Sequence, residues 1–233
     1  ITFHGRNLSQ DNNIMKPHYN VLIATPGSEL NNQYVKSLTN TIAELNKRNL
    51  SWKWLNDSSS LVGNARELTM SGDRILSIDD TGPLHGECTY DKIIWIDSDI
   101  SWKVEHFMKL YDSSFDIISG TYLLHNGKKS TNMTPKYPQG IPKEDVLKMK
   151  EIIPVDIAGF GFIAMKSGVF EKIERPWFGY MSNIVFDSKG NRRYISLGED
   201  ISWCMKAKEV GFTIYFDPSI LVDHMKTIAV GWN

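Results

Sequence analysis

The chain has 233 residues, 41% of them hydrophobic, which suffices for one substantial core and reads as one α/β domain. Its 26 basic and 27 acidic side chains leave a formal charge of −1, so no global field draws it onto nucleic acid or an anionic membrane. Cys88 and Cys204 belong to no CxxC or Cys/His cluster, no apolar run approaches the roughly 20 residues of a membrane span, and the first residues lack a signal peptide's charged-then-apolar order. Plain thiols in a soluble, cytoplasmic protein are expected.

Residues 1–17 are polar and aperiodic and read as an irregular arm, leaving 18–233 for the domain. Tyr19 to Thr25 is an apolar, β-branched run stopped by Pro26-Gly27, a buried strand followed by a loop. From Asn31 to Arg48, Tyr34, Val35, Leu38, Ile42 and Leu45 recur at helical spacing. Leu50 to Leu55 predicts a second strand, Ser60 to Ser77 a helix, Asp91 to Ile96 a third strand, Lys103 to Tyr111 a short helix and Asp116 to Thr121 a fourth strand. The polar, Pro- and Gly-bearing stretch from Asn126 to Gly140 reads as a mobile loop. Val155 to Met165 is strand-like but broken by Gly159 and Gly161. Glu199 to Val210 predicts a helix ending at Gly211, Phe212 to Phe216 a strand and Asp217-Pro218 a turn. Strands alternating with helices imply a mainly parallel sheet covered by helices.

The strongest chemical signal is Asp97-Ser98-Asp99 at the end of the apolar run Lys92 to Ile96. Ligands of open α/β sheets sit beyond the carboxyl ends of strands, where these acids fall. Neighbouring carboxylates repel unless a cation neutralises them, and hard oxygen ligands suit Mg²⁺ or Mn²⁺. Helix capping by the same aspartates is the plainer alternative. A second signal is Gly198-Glu199-Asp200 at a predicted helix start, where a carboxylate can face a cleft and accept a proton or simply cap the helix. His224 offers an imidazole to a metal or serves structure.

In this order and spacing the motifs resemble the GT-A family of glycosyltransferases, in particular small bacterial, phage and algal-virus members related to the family 2-like group, from about Tyr19 to His224. The resemblance implies a Rossmann-like nucleotide-diphospho-sugar transferase fold with a mainly parallel central sheet flanked by helices. It implies that Thr25-Pro26-Gly27 and the acid of Asn56-Asp57-Ser58 hold the nucleotide base. Asp97-Ser98-Asp99 would bind ribose and metal, Glu199-Asp200 would serve the acceptor, and His224 would complete the metal shell. Arg66 matches a helix arginine beside the donor; a surface salt bridge is its alternative. The segment Asn56-Asp57-Ser58-Ser59 departs from the family's more usual Asp-Asp-Gly-Ser. Gly159 and Gly161 match a strand where small residues leave room for a donor sugar, or mark a bulge. Trp177, Phe178, Trp102 and Trp203 are candidates for stacking on sugar or for the core.

The implied reaction moves a sugar from a nucleotide-sugar donor, with UDP favoured over GDP, to an acceptor hydroxyl on a glycan. Asp99 and His224 would hold Mn²⁺ or Mg²⁺, with Asp97 as a further ligand or on ribose, and Asp200 would be the base. Nucleic acid as acceptor fits the balanced charge less well. A nucleotidyltransferase would show a basic glycine-rich segment near the first strand, which Thr25-Pro26-Gly27-Ser28-Glu29 lacks. A nucleotide-sugar or carbohydrate-binding module without transfer is the non-enzymatic rival.

Overall fold

The structure, a computed structural model, describes residues 15–72, 82–124, 127–186 and 189–226. Most of the expected arm, 1–14, and the end of the expected second helix, 73–77, lie outside the described residues.

Strands β1 (His18–Pro26), β2 (Trp52–Asp57), β3 (Thr89–Ile96), β5 (Ile117–Thr121), β6 (Ile153–Val155), β7 (Phe162–Lys166) and β10 (Ile214–Leu221) form one sheet in the order β2-β1-β3-β7-β5-β10-β6. Five strands run the same way; β7 and β6 run against them. Along β1 and β3 the side chains alternate between two cores. Leu22, Ala24, Ile93 and Trp95 enter one, Val21, Ile23, Ile94 and Ile96 the other, and all eight are fully buried. That two-residue period with both faces covered is why these strands read as unbroken apolar runs. Sealing each large aliphatic side chain is worth about 1.5–3 kcal/mol.

Helix α1 (Asn32–Lys47) is capped by Asn31, whose side chain accepts from the Gln33 amide at 2.9 Å, and it lays Tyr34, Leu38 and Leu45 on the second core. Helices α2 (Val62–Ser71) and α3 (Val104–Asp112) follow β2 and β3, and α6 (Glu199–Glu209) precedes β10. Two four-residue helices, α4 (Lys143–Val146) and α5 (Val169–Lys172), complete the set. Outside the sheet, β4 (Ile100–Ser101) pairs with β11 (Asp223–His224), and β8 (Met181–Phe186) with β9 (Arg192–Leu197) in a hairpin. Among the described residues no helix is long and apolar enough to cross a membrane.

Four expectations change. The strand expected over Val155 to Met165 is two strands that run the same way in different places: β6 pairs with β10 at the sheet's edge, and the chain passes through 156–161 before β7 enters between β3 and β5. β10 continues past Asp217-Pro218 to Leu221, absorbing the proline in a register shift after Phe216. The β8–β9 hairpin was not expected at all. And 127–140 is no loose loop: Ser130, Thr131 and Asn132 are buried, and bridges Leu123↔Ser130, Lys129↔Pro142 and Met133↔Ile157 sew the segment to its neighbours.

Candidate active site

The carboxyl ends of β1, β2 and β3 lie side by side, with Pro26 in register with Asp57 and Asp97 following Ile96. The β1 loop turns at Gly27, whose φ of +132° suits glycine and where a Cβ would come within 3.0 Å of Ser98 Oγ. The Asn31 amide donates to the Ser98 carbonyl at 3.0 Å, and the Gly27 amide to the Asp57 carbonyl at 2.8 Å. Loop, acid and Asp-Ser-Asp turn are therefore one hydrogen-bonded edge.

Within that edge the expected base-binding residues differ. Asp57 is half-buried and one oxygen, Oδ1, accepts from the Ser58 amide at 2.7 Å. Ser98 is likewise half-buried at the rim, whereas Pro26, expected beside it on the base, is buried at the end of β1. Thr25 is sealed: its hydroxyl bonds Tyr34 and receives the Trp54 indole N–H at 3.1 Å, and its carbonyl receives the Asn56 amide at 2.8 Å. A base edge held by the Thr25 side chain does not fit this burial; Thr25 supports the loop from beneath.

Asp97 and Asp99, one residue apart, face different partners. Arg66, on α2, is buried with its guanidinium 5.2 Å from the Phe160 ring and 5.7 Å from that of Trp95. Its Nη2 lies 3.0 Å from Asp97 Oδ1 and donates to Oδ2 at 3.3 Å, while Nε donates to Glu199 Oε1 at 3.4 Å. Burial alone would lower the guanidinium's pKa, but Asp97 and Glu199, then Tyr122 and Asp200, carry it above its usual value. Arg66 is thus no surface salt bridge: it locks the end of β3 to the start of α6, and its Nη1, buried, has no hydrogen-bond partner among the described residues. Glu199 is consumed in that lock, which leaves Asp200, half-buried, as the acid of the pair facing outward. Burial, reinforced by the charge of Glu199, raises the Asp200 carboxyl above the usual range against the pull of Arg66.

On the other side β4 and β11 set His224 opposite Ile100, and the Met225 amide donates to the Asp99 carbonyl at 2.7 Å. His224 Nε2 stands 3.1 Å from Asp99 Oδ2, 125 residues away in sequence. Its Nδ1 is 3.1 Å from the Leu123 carbonyl, so with both ring nitrogens protonated each N–H has an acceptor, Nε2–H donating to Asp99, and with the proton on Nδ1 alone the Nε2 lone pair is left for a cation. Lys226 Nζ donates to the same Oδ2 at 2.8 Å. Burial pushes Asp99 up, but the bonds from His224 and Lys226 outweigh it and hold the carboxyl down at about 2.

Tyr122 stands between the two sides. Its ring meets His224 edge-to-face at 4.9 Å, and its hydroxyl accepts from the Gly161 amide at 3.2 Å. A Cβ at Gly159 would lie 2.7 Å from that hydroxyl and one at Gly161 2.6 Å from the ring, so the two glycines make room for Tyr122, not for a sugar. Burial raises its pKa far enough to keep the phenol protonated. Sequence reasoning missed Tyr122 and Lys226, although Tyr122 directly follows β5 and meets the same strand-end rule that singled out Asp97. Trp177, Phe178, Trp102 and Trp203 are all core residues.

No family model matches the chain, and no curated protein sequence matches it. Among solved structures its fold is similar to A197 from STIV, at 16% identity over 92% of this chain and 98% of that one, with a TM-score of 0.49. It is also similar to a mutant Drosophila β1,4-galactosyltransferase 7 in complex with manganese, UDP-Gal and xylobiose, at 13% identity over 91% and 71%, TM-score 0.46. GalNAc-T7 with UDP, GalNAc and Mn²⁺ follows at 14% identity over 89% and 37%, TM-score 0.44.

Proposed function

We propose that the chain is a metal-dependent glycosyltransferase, a single GT-A domain over 18–233, that moves a sugar from a nucleotide-sugar donor to an acceptor hydroxyl on a glycan. The observation that carries this reading is the meeting of His224 Nε2 with Asp99 Oδ2 beside the ends of three parallel strands. An imidazole whose other nitrogen is fixed by a carbonyl, set against a carboxylate, is a donor set that suits Mn²⁺ or Mg²⁺. The spot also gathers positive charge already, in the Lys226 ammonium.

Among the described residues no three His, Cys, Asp or Glu side chains gather to hold a metal. Asp99 and His224 are the side chains that would hold an ion together with the donor's diphosphate. When bound, such an ion neutralises charge building on the departing nucleotide diphosphate. Asp97, steadied by Arg66, would meet the ribose or a metal-bound water, and Asp57, with Ser98, would meet the base, over the buried Pro26. Asp200 takes the proton from the acceptor hydroxyl while that oxygen bonds the anomeric carbon and the bond to diphosphate breaks. A carboxyl whose pKa is raised by burial is a stronger base than a solvated one. UDP is the nucleotide favoured by the family resemblance.

Calorimetric titration of UDP and GDP, with and without Mn²⁺, tests the donor site. Metal-dependent UDP binding that Asp99→Ala abolishes is the expected result. Binding of neither nucleotide under any condition removes the reading.

A further inference from the structure

In the β8–β9 hairpin, Ile184 lies opposite Tyr194, Phe186 opposite Arg192 and Ser182 opposite Ser196. Alternation puts these six on one face, and all are exposed. Phe186 and Tyr194, 68% and 72% exposed, are the most exposed aromatic side chains among the described residues. The opposite face carries Met181, Val185 and Leu197, half-buried, with Arg193 and Ile195 exposed, and the Met181 amide donates to Ser202 Oγ on α6 at 3.2 Å, so the hairpin is seated on the body by this face near its base while Ile184, Phe186 and Tyr194 stand on the exposed one. Diagonal neighbours on a sheet face stay within reach of aromatic side chains, so Phe186, Tyr194 and Ile184 form one patch. β9 ends at Leu197, and Gly198 and Asp200 follow at once.

From this we infer that the hairpin face is a platform for the acceptor, and that the acceptor is an oligosaccharide whose distal sugars lie on Tyr194, Phe186 and Ile184. The inference rests on the transferase reading and names the substrate class of that same site. A pyranose presents an apolar C–H face that an aromatic ring covers and hydroxyls that Ser182, Ser196 and Arg192 can bond. Size decides against a second copy of the chain. Six exposed residues make up this face, against the roughly 20–30 a side of a stable protein interface. Reach decides the ligand's length. Gly198 is four residue steps beyond Tyr194, about 13 Å at ~3.3 Å per step, which is more than one sugar ring spans and within a short oligosaccharide.

The test is calorimetric titration of chitohexaose, cellohexaose, xylohexaose and mannohexaose, and their monosaccharides, into the full chain and into Tyr194→Ser and Phe186→Ser. At least one hexaose should bind where its monosaccharide does not, and each variant should weaken it about tenfold with an unchanged melting temperature. Absence of hexaose binding, or equal binding by wild type and variants, overturns the platform. So does a dimer in sedimentation velocity that the variants dissociate, which assigns the face to a second copy. Titration of UDP with Mn²⁺ into the same variants separates the two readings. Loss of donor binding in every protein with the hexaose result intact would fell the transferase reading and leave a carbohydrate-binding face.

Discussion

On one side of the Asp97-Ser98-Asp99 turn a guanidinium is sealed beneath two aromatic rings and shared by Asp97 and Glu199. On the other, a half-exposed ammonium and an imidazole share Asp99. The buried side raises its outward carboxyl, Asp200; the open side lowers Asp99 to about 2. Both are responses of a carboxylate to burial and neighbouring cations, and which wins depends on whether the cation is already spent on another acid. Arg66 is spent on two, so Asp200 gains little from it; Lys226 and His224 both point at Asp99. The turn therefore separates a fixed structural charge from an exchangeable one.

Breaking the fixed side should have the largest effect. Arg66→Leu leaves Asp97 and Glu199 without their cation in a buried setting and should cost about 3–5 kcal/mol in urea unfolding. Adding Glu199→Gln should recover part of that cost, since it removes one of the stranded charges. A loss below about 1 kcal/mol for Arg66→Leu would place the guanidinium in effective contact with water and dissolve the contrast. Next, Asp200→Asn should lower glycosyl transfer by about a hundredfold or more while UDP and Mn²⁺ bind as before. Because the base works ionised and its pKa is raised, the wild-type rate should fall on the acid side already above the ordinary aspartate range. A variant with normal turnover would move the base elsewhere.

How much of this was legible in the sequence follows the range of the interactions. β1 and β3, α1 and α6 announce themselves because their periodicity and caps are local: Asn31 before α1, Gly198 before α6, the apolar run up to Ile96. The strand-end rule likewise put Asp97 and Asp99 at the sheet's ligand edge from local pattern alone. What stayed hidden is set by pairing at a distance. β7 entering against β3, Tyr122 filling the space over Gly159 and Gly161, and Arg66 meeting Glu199 across 133 residues leave no mark in any short window. The hairpin stayed hidden for a different reason: its exposed Ile184, Phe186 and Tyr194 break the inward-apolar alternation by which a surface strand is recognised.

The open side makes a subtler set of predictions. Asp99→Asn should weaken Mn²⁺-dependent UDP binding by at least about 10–100-fold, whereas Asp97→Asn should cost more in stability than in metal affinity. The reverse order would transfer the ion to Asp97. Without metal, in chelator, the two sides should also carry opposite pH slopes. Asp99, with its folded pKa near 2, lends stability that is complete above its unfolded value of about 3.9 and is lost as pH falls toward 2. Asp200 is raised, so the folded state holds its proton more tightly, and stability falls as pH rises from about 3.9 through the folded pKa. Acid unfolding curves should accordingly flatten in opposite senses for Asp99→Asn and Asp200→Asn, and slopes of the same sign would contradict the assignment.

The smallest effect should come from Lys226→Met. The pair it makes with Asp99 is 42% and 38% exposed, and such pairs are worth about 0–1 kcal/mol. Its removal should leave urea unfolding within that margin, yet lift the Asp99 carboxyl from about 2, because one of the two hydrogen bonds that lower it is gone. A carboxyl titration followed by NMR reads that shift directly. An unmoved Asp99 would mean that His224 alone holds it, and a loss of several kcal/mol would mean that Lys226 belongs, with Arg66, to the fixed side of the turn.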